Sequence, residues 1–273
     1  MQSEVTSSPS RRPAYDREYL ARRGLDLDLA FQCVELAWLA YRDPGFANEQ
    51  ALSRLGYEYF RHLTRRQGRD HAFVVRDRRR TVVAFRGSDD PWDWITNLRA
   101  WTGPTPYGRV HRGYYAVVQS LIDELREVLL DDPRQRPVVL TGHSMGGALA
   151  VVAAAVLTGD PIVPGGIYTF GQPQVGDRAF SRNFATGYPA RLLRFVNGAD
   201  AIAAWTYGRE AMLGTPCYFD KRGYLVFGDH LSEVPRLGLR FHRLDHYRYY
   251  LRLNRLRLRL LEEAQATTVI VKR

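Results

Sequence analysis

The apolar positions of this chain change their period several times, and each change marks an element. Over residues 27–41, Ala30, Cys33, Val34, Ala37, Trp38 and Tyr41 recur at three- and four-residue spacing. That spacing predicts an amphipathic helix, ended by Asp43-Pro44-Gly45. Two short runs rich in β-branched residues follow, His71-Ala72-Phe73-Val74-Val75 and Thr81-Val82-Val83-Ala84-Phe85. The charged turn between them predicts a hairpin. Helical spacing returns over 113–130 and stops before Pro133. The runs 137–141, 166–170 and 191–196 read as strands, and 215–219 with 224–227 as a second hairpin. A last helix is expected from about His246. It includes Leu256-Arg257-Leu258-Arg259-Leu260, which alternates as a strand would but is built of residues that favour helix. Leu253, Leu256 and Leu260 are expected to face inward and the arginines outward. Strands interleaved with helices predict an α/β fold, a mostly parallel central sheet flanked by helices. With no Pro/Ser-rich linker, residues 21–273 are expected to form one domain behind a polar, disordered tail of residues 1–20.

The strand at 137–141 runs into Gly142-His143-Ser144-Met145-Gly146, and a helix of small residues, Gly147 to Ala155, follows. The form G-x-S-x-G between strand and helix is a nucleophile elbow. A serine on so tight a turn has its hydroxyl pushed into the open, and the glycines two before and two after it carry no Cβ to collide. A serine hydroxyl needs a histidine to take its proton, and the histidine needs a carboxylate to fix its tautomer. In α/β-hydrolases these follow in the order serine, acid, histidine, with the acid just past a strand. Asp200, after the strand at 191–196, is the best-placed acid. Asp177 is second, and Asp220 sits at a hairpin tip where a turn role is stronger. His230, His242 and His246 follow the acid. His246, just before the last helix, is preferred; His230 is its rival; His242, near two arginines, reads as a surface residue. His143, His62, His71 and His111 have structural readings.

The tetrahedral intermediate also needs donors for its oxyanion. The Met145 N–H, directly after the nucleophile, is one; Ser88, at the glycine turn that ends the strand over 81–85, is the second. Beyond Ser88 lies a tryptophan-rich segment. Trp92 stands near its start, and Trp94, Ile95, Leu98 and Trp101 fall on one helical face. It is a candidate lid, or equally a fixed helix packed on the core, ended by Gly103-Pro104.

The chain has 273 residues, a net charge of +10 and two lysines, so its positive charge is almost all arginine. Such a balance favours anionic partners, phospholipid surfaces, nucleic acid or acidic substrates, against a plain solvated basic surface; nucleic acid ranks last, since no nucleic-acid motif is present. Only Cys33 and Cys217 occur; a buried free thiol is expected at Cys33, with one disulfide the alternative. No Cys/His spacing points to a metal and no glycine-rich phosphate loop to a nucleotide, so no cofactor is expected. No run of about 18 apolar residues and no signal-peptide core are present, which makes a cytoplasmic location the default expectation, with export open if a signal has been removed.

Taken together these segments resemble the class 3, fungal-type lipase family. The likeness is carried by Val83-Ala84-Phe85-Arg86-Gly87-Ser88, Val110-His111-Arg112-Gly113-Tyr114, the elbow with Gly147-Ala148-Leu149-Ala150, Thr169-Phe170-Gly171-Gln172-Pro173-Gln174-Val175-Gly176, and Asp245-His246 with Tyr249. They stand in the family's order across roughly residues 70–250. The resemblance implies an α/β-hydrolase-like fold and metal-free hydrolysis of lipid acyl esters. Ser144 would be the nucleophile, Asp200 the acid, His246 the base, and Ser88 with Met145 the oxyanion hole. Phospholipase A or short-chain esterase activity is the alternative within enzymes. A non-catalytic membrane-binding protein of the same fold is the alternative outside them. The family usually follows its acid with an apolar residue and then proline, whereas Asp200 is followed by Ala201-Ile202-Ala203-Ala204.

Overall fold

A computed structural model describes residues 16–42, 50, 52–64, 70–89, 101–198, 200–204, 213–227 and 238–271. Its strands are β1 (Tyr59–Thr64), β2 (Asp70–Arg76), β3 (Thr81–Phe85), β4 (Trp101–Thr105), β5 (Gly108–His111), β6 (Val138–His143), β7 (Gly166–Phe170), β8 (Arg191–Asn197), β9 (Thr215–Phe219) and β10 (Leu225–Phe227). Its helices are α1 (Arg17–Arg22), α2 (Leu27–Leu39), α3 (Arg112–Leu130), α4 (Met145–Leu157), α5 (Arg178–Gly187), α6 (Ala201–Ala204) and α7 (Leu244–Val271), with a 3₁₀ turn at Leu239–His242. Eight strands make one sheet in the order β1-β2-β3-β6-β7-β8-β9-β10. From β3 to β9 the neighbours are parallel; β1, β2 and β10 add antiparallel edges.

The central strands β3, β6 and β7 are buried at every position because both faces of the sheet are covered. Val83, Phe85, Val138 and Leu140 join one core with α3, α4 and α5. Val82, Ala84, Val139, Leu193 and Phe195 join the other with α2 and α7. Helix α4 is buried along almost its whole length, which its run of glycine, alanine and valine permits.

Several expectations need correction. The tail does not reach residue 20: Asp16 caps α1 by accepting from the Tyr19 N–H, and Leu20 is buried beneath it. Strand β1 pairs on the outer edge of β2, where the sequence pattern predicts no strand. Trp101 lies at the start of a strand, not on a helix that runs to Gly103, because the backbone from Trp101 pairs antiparallel with β5. Trp92, Trp94, Ile95 and Leu98 lie outside the described residues. The inward face of α7 is Tyr247, Leu251, Asn254 and Leu258, while Leu256 and Leu260 are exposed. Asn254 fixes that rotation: it accepts from the Leu225 N–H and donates to the Gly223 carbonyl, locking α7 to the β9–β10 hairpin. Both cysteines are buried free thiols, so no disulfide joins them.

Candidate active site

Ser144 sits between β6 and α4 with φ 55° and ψ −128°. A non-glycine residue in that region carries backbone strain of about 1–3 kcal/mol, and its surroundings must enforce it. Here the crowding is explicit. A Cβ on Gly142 would lie 2.3 Å from the Gly146 carbonyl carbon, and one on Gly146 would lie 2.2 Å from the Phe85 carbonyl oxygen. The start of α4 therefore abuts the end of β3 with no room for a side chain. The same approach brings Gly87 against the elbow, where its Cβ would lie 2.6 Å from the His143 carbonyl oxygen. Ser88 is thus one residue from the elbow backbone. Met145, the first residue of α4, has one of the N–H groups that a helix cannot satisfy internally.

Asp200 is fully buried, one turn past β8. Its Oδ1 accepts from the Ile202 and Ala203 N–H groups at 2.9 and 3.1 Å. Its Oδ2 lies 2.9 Å from His242 Nδ1 and accepts from the Tyr247 hydroxyl at 2.5 Å. Burial penalises the charge, but the hydrogen bond and charge of His242, then Tyr247 and Ala203, outweigh it and hold the carboxyl below its ordinary range. The Tyr247 hydroxyl, raised far above its ordinary pKa by burial and then by Asp200, stays a neutral donor. Ile202 occupies the position where the family usually has proline. Proline has no N–H, so this departure gives the carboxylate a donor.

The histidine that meets Asp200 is His242, not His246. His242 is 5% exposed although Arg240 and Arg243 on either side are open to solvent. Two carbonyl contacts turn the segment inward: Asn197 Nδ2 donates to the Phe241 oxygen at 2.9 Å, and His143 Nε2 donates to the His242 oxygen at 2.7 Å. His246 makes no bond to Asp200. Its Nδ1 lies 3.5 Å from Asn197 Nδ2, about 100° round α7 from Tyr247. Tyr249 is 61% exposed, so the aromatic partner of the acid is Tyr247. His230 lies outside the described residues. Asp177 caps α5 and Asp220 shapes the β9–β10 turn, which are structural roles.

The pair lies against the elbow. The Ser144 N–H donates to the Phe170 carbonyl at 2.9 Å. The residues on either side of that bond touch His242: the His143 ring lies 4.6 Å from it, tilted by 34°, and a Cβ on Gly171 would lie 2.9 Å from His242 Nδ1 and Asp200 Oδ2. Gly171 has φ 59°, so both conformation and space call for glycine here. With Asp200 accepting from Nδ1, His242 Nε2 keeps its lone pair, and that atom is buried with no hydrogen-bond partner among the described residues. His143 has the opposite tautomer. A carbonyl only accepts, so Nε2 carries the proton and Nδ1 accepts from the Tyr41 hydroxyl at 2.9 Å. Burial first, and His242 second, push its pKa down to about 3, so it is neutral.

Residues 82–209 match the profile of the Lipase (class 3) family. A secreted mono- and diacylglycerol lipase of Fusarium solani is 34% identical over 146 residues, 48% of this chain and 41% of that protein. A chloroplastic phospholipase A(1) of Arabidopsis thaliana is 31% identical over 151 residues, 46% of this chain and 33% of that one. The chain thus spans less than half the length of either relative. Among solved structures, a triacylglycerol lipase described as having a serine protease triad at its catalytic centre aligns with TM-score 0.64 and 22% identity, covering 79% of this chain and 92% of that one. The likeness at that identity is one of fold, an α/β-hydrolase with a mostly parallel sheet flanked by helices.

Proposed function

We propose, on the premise that residues 82–209 belong to the class 3 lipase family, that this chain is a serine hydrolase of lipid acyl esters with Ser144, His242 and Asp200 as its triad. The observation that carries this reading is the buried Asp200–His242 pair, set against a strained serine with its Nε2 lone pair unspent. Ser144 Oγ attacks the ester carbonyl as its proton passes to His242 Nε2. Asp200 holds the Nδ1 proton and stabilises the imidazolium. The N–H of Met145 and the N–H or hydroxyl of Ser88 take the oxyanion. The intermediate collapses, the alcohol leaves with the proton from Nε2, and the acyl group stays on Ser144. Water then gives its proton to Nε2 and attacks the acyl-enzyme. The acid departs as the proton returns to Ser144.

Ser144→Ala is expected to abolish both turnover of a soluble short-chain ester and labelling by a fluorophosphonate while leaving the melting transition in place. Labelling at another residue, or full turnover, contradicts the assignment. Equal binding of lipid by both proteins, with turnover by neither, would favour the non-catalytic reading. A phospholipase A reading is favoured over a triacylglycerol lipase by one observation, the exposed arginines on either side of His242. Rates on phosphatidylglycerol and on triolein emulsions separate the two.

A further inference from the structure

The β2–β3 turn closes the end of the sheet opposite the elbow, since β3 and β6 run parallel from Thr81 and Val138 toward Phe85 and Gly142. An open cavity of about 880 Å³ lies there, between that turn, α2 and the segment 52–60. A second cavity, of about 550 Å³, meets it at a shared wall of Gln32, Arg79 and Arg80. Cavities of this size take small molecules.

Two side chains that line the larger cavity carry polar atoms the fold leaves unused. Tyr57 is 7% exposed, and its buried hydroxyl has no hydrogen-bond partner among the described residues. Gln32 Oε1 is buried in the same condition. Leaving such groups unpaired is costly, and a ligand that pairs them removes the penalty. Burial first, then Cys33 and Asp77, holds the Tyr57 hydroxyl above its ordinary pKa against the opposing charge of Arg80, so it is a neutral donor. The turn itself is fixed by Asp77, whose Oδ1 accepts from the Arg79 and Arg80 N–H groups at 2.6 and 2.8 Å. Arg79 and Arg80 have no carboxylate partner among the described residues. The other acid of the cavity, Glu58, is engaged by Arg78 at 3.3 Å and Arg134 at 3.8 Å.

These groups define a ligand. Two guanidiniums and a phenol hydroxyl all donate, so they call for an anion with several oxygens, a phosphate. Gln32 calls for a hydroxyl, which donates to the amide oxygen and accepts from the amide nitrogen. Leu55 and Phe60, both partly exposed, line the same cavity and offer apolar surface to a carbon ring. We infer that the cavity binds a phosphorylated sugar, with its phosphate at Arg79, Arg80 and Tyr57 and a ring hydroxyl at Gln32. The site lies at the far end of the sheet from Ser144 and does not depend on the ester-hydrolase reading.

Calorimetric titration of the full chain with glucose 6-phosphate, glucose and sulfate tests it. Glucose 6-phosphate is expected to bind at least about tenfold more tightly than either of the others, since each of those meets only part of the site. Tyr57→Phe is expected to weaken binding about tenfold and to leave the melting temperature in place, because the hydroxyl holds nothing in the free chain. Arg80→Gln is expected to weaken it by about tenfold or more. Gln32→Leu is expected to bring glucose 6-phosphate down to the affinity of sulfate. Arg252→Gln is the control: it removes the same charge from an exposed position on α7 outside both cavities, and it is expected to change binding less than about threefold. No binding of glucose 6-phosphate, sulfate bound as tightly, or equal losses from Arg80→Gln and Arg252→Gln overturns the inference. Unchanged binding by Tyr57→Phe does the same.

Discussion

His143 ties the stability of the elbow to pH. It is buried, packed against the His242 ring, and held as the neutral Nε2–H tautomer between a carbonyl and the Tyr41 hydroxyl. Its pKa falls from 6.5 to about 3, burial being the larger cause. The folded value is depressed, so between these limits the unfolded chain binds the proton and the folded chain does not. Stability from this residue is therefore complete above pH 6.5 and is lost as pH falls toward 3, at about 1.4 kcal/mol per pH unit. Over the whole window the loss approaches about 5 kcal/mol, a large share of the 5–15 kcal/mol of an ordinary domain. Asp200, Asp28 and Asp132, with pKa values below 3.8, contribute losses only at the acidic end. His143→Gln keeps an amide N–H and cannot titrate. Urea unfolding followed by tryptophan fluorescence, from pH 7.5 to 4 at fixed ionic strength, gives the comparison. The unsubstituted chain should lose about 2–3 kcal/mol more than His143→Gln between pH 6 and pH 4. Parallel curves for the two proteins would mean that His143 does not carry this pH dependence.

Tyr247→Phe removes a donor to a buried carboxylate and strips the Asn197 N–H of its acceptor; it should cost about 2–3 kcal/mol in urea unfolding, while Tyr249→Phe should cost under about 0.5 kcal/mol, as surface changes do. Gly171→Ala drives a Cβ into the Asp200–His242 pair and should lower kcat by about 10²-fold, the scale of a small misplacement of catalytic groups. Ile202→Pro deletes one N–H to Asp200; it should raise the Asp200 pKa, move the acidic limb of the kcat/KM profile to higher pH, and cost about 1–3 kcal/mol of stability.

The sheet was legible because its central strands are buried on both faces and bounded by turns. Each of β2, β3, β6, β7 and β8 holds a short apolar run, Ala72–Val75 and Val82–Phe85 among them, and the helices keep their own period. Strand β1 was not, since Tyr59-Phe60-Arg61-His62 at a sheet edge carries polar residues where one face is open. Helix α7 was legible as a helix but not in its rotation, because leucine recurs on more than one face and the anchor is a polar residue, Asn254. At the site, the elbow and Asp200 could be read from local chemistry. The glycines needed for close approach, Gly87 and Gly171, lay in segments quoted for their resemblance, and only the packing gives them a reason. His242 could not be read that way. Its flanking charges point outward, and what turns it inward are carbonyl bonds from Asn197 and His143, side chains distant in sequence. The one local signal was a buried aromatic five residues on, Tyr247, which also contacts the acid.

On the proposed mechanism Asp200 works through His242. Kinetics of His242→Ala and His246→Ala on a soluble short-chain ester, with fluorophosphonate labelling beside them, test it most directly. His242→Ala is expected to lower kcat/KM by about 10⁴-fold or more and to stop labelling of Ser144, as loss of a triad histidine does. His246→Ala should stay within about threefold of the unsubstituted chain. Loss of activity in His246→Ala with retention in His242→Ala would contradict it.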